Sequence, residues 1–322
     1  MSLKGISNNY KGVLYAMITA LLWGFLPIFL KVSLKDLDSV SIVWFRFTFA
    51  FSILFLYYLI TDKRQLNIIK RPPFILVIAA LALGVNYLGF MQGINYTSPS
   101  NAQITMQTAP ILLALVGVFF FKEKLNSKQL LGFGIAGLGL FLFYRNQLQA
   151  FIQDTEAFNT GFFWIELGAV MWVLYASLQK KLVQKHPAQL LNMVLYGIPA
   201  ILYAPFVDFA AFSNLDFSSW VIVIFLGMNT LVAYGCLALA FKYTEAYKVS
   251  IIVTVNPIIT LTSMAVLSSM NVEWIKTDSL SIYSMLGAVF VIGGAITAVL
   301  FSRKNKILTD KQIHRFQQNT NC

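Results

Sequence analysis

The sequence predicts an all-α membrane protein of ten transmembrane helices, arranged as two inverted five-helix repeats with both termini in the cytoplasm. Three observations carry this prediction: long apolar runs, a one-sided distribution of Lys and Arg, and an internal repeat. Of 322 residues, 58% are hydrophobic and 11% charged, and the mean hydropathy is +0.70. A soluble domain carries about 25% charged residues. This composition excludes an ordinary soluble enzyme, a disordered chain and a nucleic-acid-binding domain, despite a net charge of +11.

A membrane helix needs about 20 mostly apolar residues. Ten segments satisfy this, at 12–34, 39–61, 73–95, 99–121, 128–146, 160–182, 188–209, 217–242, 246–269 and 279–302. The expected organisation is a cytoplasmic N-terminus (1–11), a first repeat (12–146), an outer linker (147–159), a second repeat (160–302) and a cytoplasmic tail (303–322). The first apolar run is too long for a cleaved signal h-region and contains Trp23, Pro27 and Lys31.

Cytoplasmic loops are enriched in Lys and Arg. With the N-terminus inside, nineteen of the 24 Lys and Arg fall on inner segments, in clusters such as Lys63 to Arg71, Lys122 to Lys128 and Lys180 to Lys185. Only Lys31, Lys35, Arg145 and Lys276 fall outside, and Arg46 lies within a span. A wrong span count would scramble this split. The positive charge is therefore topological and requires no nucleic acid.

The repeat is visible at an offset of 147: Tyr96-Thr97 over Tyr243-Thr244, and Pro110-Ile111 over Pro257-Ile258. Upstream, Ala20 and Trp23 match Ala169 and Trp172; downstream, Gly132 matches Gly287. Five spans per half invert the second half relative to the first. In secondary transporters built this way, the substrate site lies near the midplane between the halves.

The runs WGFLPIFLK in the first span, WFRFTFA around Arg46, and the stretch from Tyr96 through Pro110 and Glu123 to Gly132 together resemble the EamA family of the drug/metabolite transporter superfamily. The resemblance covers nearly the whole chain. It implies a ten-helix fold of two inverted halves that moves small metabolites, often outward. The second half departs from the pattern, since the position matching Glu123 falls near Met270-Asn271 and Glu273 is offset.

Arg46 and Glu166 are the costly residues, because a charge deep in a bilayer needs a partner, water or a cavity. They are read as a gate pair, or as a carboxylate anchor (Arg46) beside an amine or proton site (Glu166). A structural ion pair or snorkelling is the alternative. Gln103 and Gln107 share a helix face, the repeat sets Ser250 and Thr254 opposite them, and Asn256 follows. Pro110 and Pro257 are expected to break their helices and free carbonyls that need a protein partner or a wet cavity. Interhelical polar contacts would explain the same stripe. Trp23 and Trp172 are repeat mates, as are Tyr87 and Tyr234, with Asn86 and Tyr175 nearby; such aromatics can stack on a flat substrate or hold a cation. The glycines of spans five and ten read as packing or a dimer face.

There is no phosphate loop, nucleophile elbow or metal-ligand spacing, and Cys236 and Cys322 make no disulfide framework. No enzyme activity, cofactor or metal is expected. The expected partners are a small-molecule substrate and the lipid bilayer, with drive from a proton or other ion, and a monomer or homodimer. The expected function is a multi-pass inner-membrane transporter working by alternating access, an exporter of amino acids or related compounds. Uptake of a small amine and a non-transporting scaffold or sensor are the rival readings.

Overall fold

A computed structural model describes residues 8–121, 126–152, 156–272 and 282–300. Every regular element among them is helical. In chain order these are α1 (Asn8–Ser33), α2 (Ser39–Thr61), α3 (Asn67–Lys70), α4 (Phe74–Tyr96), α5 (Pro99–Thr105), α6 (Thr108–Phe121), α7 (Ser127–Ile152), α8 (Glu156–Leu182), α9 (Ala188–Tyr203), α10 (Phe209–Ser213), α11 (Phe217–Tyr243), α12 (Ala246–Val253), α13 (Asn256–Ser269) and α14 (Ile282–Leu300). Short 3₁₀ turns occupy Lys63–Leu66 and Ala204–Phe206.

Among the described residues, six helices are long and apolar enough to cross a membrane: α1, α2, α4, α8, α9 with its 3₁₀ extension, and α11. The other four expected segments fall on α5–α6, α7, α12–α13 and α14. Side chains fix where several helices begin. Asp38 accepts from the Val40 and Ser41 amides at the start of α2, Ser98 accepts from Asn101 with Pro99 in the first turn of α5, and Asp216 accepts from Ser219 at the start of α11. Each satisfies an amide that the helix itself cannot.

The helices are apolar almost all round, which suits burial on one side and lipid on the other. Phe47, Tyr175, Tyr196 and Phe241 are fully buried, while Ile60, Phe74, Phe119 and Phe217 are exposed. The chief packed pairs are α7 with α14, α4 with α8, α1 with α11, and α2 with α9. Glycine allows the closest approach of α4 to α8: a Cβ on Gly89 would stand 2.5 Å from the Trp164 carbonyl.

Two of the expected spans are discontinuous, each in the turn before Pro110 or Pro257, the residues expected to break them. The helices stop at Met106-Gln107 and Thr254-Val255, and the prolines lie within the first turn of α6 and α13. A proline ring clashes with the carbonyl four residues back and tolerates the first turn, so the break falls one turn earlier. Tightened bonds mark both places: Gln107 N to Ile104 O at 2.9 Å, and Val255 N to Ile252 O at 3.2 Å.

Candidate substrate site

A cavity sits where both breaks meet α1, α2, α4, α8 and α11. It is lined by Trp23, Leu26, Arg46, Asn86, Tyr87, Phe90, Gln103, Met106, Gln107, Ala109, Trp172, Tyr234, Val253 and Asn256. Its volume is about 60 Å³, room for roughly four waters at about 10–15 Å³ each.

Arg46 lies in this wall on α2 and is only 2% exposed. Its Nε donates to Thr230 Oγ1 at 3.1 Å, and the guanidinium carbon rests 4.3 Å from the Tyr87 ring centroid. No carboxylate pairs with it among the described residues. The buried cation is held by the neutral Thr230 hydroxyl and the face of Tyr87.

The aromatic side of the wall is continuous. Trp23 meets Trp172 edge-on with centroids 6.0 Å apart and Tyr234 at 5.0 Å; Tyr234 lies 5.3 Å from Tyr87. Both indole N–H groups, Trp23 Nε1 and Trp172 Nε1, are buried with no hydrogen-bond partner. Buried orphan donors beside a cavity are what a ligand acceptor would satisfy.

The amide side links the two breaks. Gln107 Nε2 donates to the Gln103 carbonyl and to Asn256 Oδ1, each at 3.1 Å. The first bond replaces the helical partner that Gln103 loses when the Gln107 amide turns to Ile104. Gln107 Oε1 is buried without a partner. Asn86 Nδ2 donates to the Gly168 carbonyl at 3.0 Å, binding α4 to α8. The N-termini of α6 and α13 both open here, through Ala109 and Asn256.

Of the candidates, Trp23, Arg46, Asn86, Tyr87, Gln103, Gln107, Trp172, Tyr234 and Asn256 come together around this one space. Three do not line it. Tyr175 is fully buried one layer back, its ring 5.8 Å from Tyr234. Thr254 is buried in the break of the second half. Glu166 accepts from Thr108 at 3.0 Å, so it does not form the gate pair with Arg46. Pro257 is buried in the first turn of α13, and Pro110 belongs to α6. Leu26, Phe90, Met106, Ala109 and Val253 line the cavity without having been singled out. The repeat carried a signal for three of them, since the offset of 147 pairs Met106 with Val253 and Ala109 with Asn256.

Comparison with known proteins fits this architecture. A solved crystal structure with 16% identity superposes with a TM-score of 0.68 over 92% of this chain and 100% of its own, which shows a shared fold. An uncharacterized transporter of Haemophilus influenzae is 31% identical over 90% of this chain and 94% of its own length. The uncharacterized inner membrane transporter YhbE of Escherichia coli is 30% identical over 91% and 92%. The uncharacterized transporter YyaM of Bacillus subtilis is 26% identical over 85% and 88%. The EamA-like transporter family model matches residues 10–145 and again residues 159–300. With apolar helices of spanning length, a polar cavity buried among them and a family match over both halves of its sequence, the chain is a membrane transporter and belongs to the EamA-like transporter family.

Proposed function

We propose that the protein is a secondary transporter of small carboxylate-bearing metabolites, with amino acids and close relatives as the substrate class, and that it exports them across the inner membrane. The observation that carries the substrate class is Arg46, a cation buried in the cavity with no carboxylate partner. A buried charge is stable only when compensated, and a substrate carboxylate would complete the set. The N-termini of α6 and α13 add positive dipole ends to the same space. The Trp23, Trp172 and Tyr234 rings can hold an ammonium group by cation–π attraction and accommodate the remainder.

Alternating access of two inverted five-helix halves, 12–146 and 160–302, is the mechanism this reading requires. Four observations support it. The family model fits once in each half. The packing of α1 on α11 is repeated by α8 on α4, as an exchange of halves predicts. Repeat mates touch one another at the cavity, Trp23 with Trp172 and Tyr87 with Tyr234, and residues related by a two-fold axis meet only near that axis. Finally, Thr19 bonds the Ala233 carbonyl while Asn86 bonds the Gly168 carbonyl, each at 3.0 Å, and these are matching positions of the two halves. The one-sided distribution of Lys and Arg supports cytoplasmic termini, and export is the direction the family resemblance favours.

The test is flux. Purified protein in liposomes, given labelled amino acids, organic cations and phosphorylated sugars, is expected to exchange the amino acids. Exchange of the cations alone would favour the amine reading, and no flux of any class would favour a scaffold.

A further inference from the structure

Glu166 stands apart from the cavity, on α8, with its Oε2 accepting the Thr108 hydroxyl at 3.0 Å. Its Oε1 is enclosed and bonded to nothing. Thr108 begins α6, just after the break, and its hydroxyl has a second acceptor, the Thr105 carbonyl at 3.1 Å. That carbonyl has no helical partner, because the Ala109 amide donates to Met106 O at 3.0 Å instead. A threonine hydroxyl has a single hydrogen. It can serve the carboxylate or the carbonyl at one time, and not both.

We propose that Glu166 is a proton-binding site, separate from the substrate cavity, whose occupancy sets the hydrogen bonding of the α5–α6 break. With the proton bound, the carboxyl O–H donates to Thr108 Oγ1, and the Thr108 hydrogen turns to the Thr105 carbonyl. The Thr105 carbonyl and the Thr108 hydroxyl are then both satisfied. When the proton leaves to water, the Glu166 O–H bond is lost and the Thr108 hydrogen turns to the carboxylate. The Thr105 carbonyl is then orphaned inside the membrane, where no water replaces the bond. The residue before Thr108, Gln107, joins the break to the cavity through Gln103 and Asn256. Proton release thereby favours a rearrangement of the broken helix that the substrate feels.

The surroundings suit a site occupied by a proton alone. The elements packed against α8 are α4, α5, α6 and α11. Neither α5 nor α6 carries a titratable side chain. On α4 the titratable groups are Tyr87, which lies under Arg46, and Tyr96 at the last residue of the helix. On α11 they are Tyr234 at the cavity, Cys236, and Lys242 and Tyr243, which lie against each other at the far end. None of them hydrogen-bonds or ion-pairs with Glu166.

This inference deepens the transporter reading and rests on it for its purpose, but its first test needs no substrate. Infrared difference spectra of the full protein, recorded as pH is stepped, are expected to show a buried carboxylic C=O band. Glu166→Gln should remove that band, and Thr108→Val should shift its frequency. In liposomes with a labelled amino-acid mixture, Glu166→Gln is expected to keep exchange at equal pH and lose at least tenfold of the flux driven by a pH gradient. A band that persists in Glu166→Gln, or gradient-driven flux equal to wild type, overturns the proposal. If the wild type moves none of the mixture, the amino-acid reading fails and the infrared result alone decides the proton site.

Discussion

Arg46 is the residue on which recognition turns. Its guanidinium is planar and presents several donors in a fixed fork, which a lysine ammonium cannot imitate. Removing one member of a buried, hydrogen-bonded charge pair costs about 2–5 kcal/mol. Arg46→Ala is therefore expected to weaken amino-acid binding by at least about thirtyfold, with Arg46→Lys only partly rescuing it, read by thermal shift against a ligand panel and by flux. Undiminished affinity in Arg46→Ala would remove the carboxylate reading. Outside the membrane, Glu245 follows α11 and pairs with Lys248 at 2.7 Å. Partial burial pushes its carboxyl up, but the hydrogen bond and charge of Lys248, with the charge of Lys180, outweigh this and leave it below its ordinary value. A depressed value stabilises the fold above the unfolded value of about 4.3 and loses that contribution as pH falls through the folded value. Glu245→Gln should flatten this acid-side loss in melting curves recorded from neutral pH down to pH about 3; an unchanged slope would show the pair to be inert.

At the scale of elements, the two breaks and the glycine contacts carry the argument. Gln107 is a backbone surrogate, since its side chain restores a bond the proline geometry removed. Gln107→Leu leaves the Gln103 carbonyl and the Asn256 amide short of partners, at a cost of about 1–2 kcal/mol, the upper range for interhelical bonds in membranes. The expected result is a lowered melting temperature together with lost transport. Melting behaviour like that of wild type would mean water replaces the amide. Gly89→Val should be far more damaging than Gly134→Val. The first would drive a Cβ against the Trp164 carbonyl, whereas a Cβ at Gly134 meets nothing within 4 Å. Expression and monodispersity of the two variants make the comparison. Lys31 is a further element-level device: its Nζ donates to the Ile94, Asn95 and Thr97 carbonyls at 2.8–3.2 Å. A cation there complements the negative end of α4 and ties α1 to the α4–α5 turn. Its repeat mate at the Trp23–Trp172 offset is Lys180, whose charge acts on Glu245 at the α11–α12 turn.

For the whole molecule, a cavity with room for about four waters is smaller than an amino acid, so its walls must move to admit one. Alternating access makes a direct prediction. With Cys236 and Cys322 replaced by serine, Ala109→Cys should react with a membrane-impermeant thiol reagent applied from either side, and substrate should protect it. Gly134→Cys, on an open face of α7, should not be protected. Reaction of Ala109→Cys from one side only would describe a fixed crevice and sink the rocking mechanism.

Hydropathy, charge placement and the offset repeat depend on composition and order alone, so the sequence by itself determined the helical membrane class, the family and the polar residues worth attention. Nine of its twelve lining candidates share one cavity, because the repeat constrained which positions could lie near a common axis. Partners and depth depend on packing, and these only the tertiary structure decided. Proline strain is relieved one turn upstream, so the breaks fall at Gln107 and Val255 rather than at the prolines. Arg46 and Glu166, both expected deep in the bilayer, turn to different helices and take Thr230 and Thr108 as partners. Rotation about a helix axis sets the neighbours of each side chain. In apolar helices with almost no amphipathic stripe, the sequence leaves that rotation open.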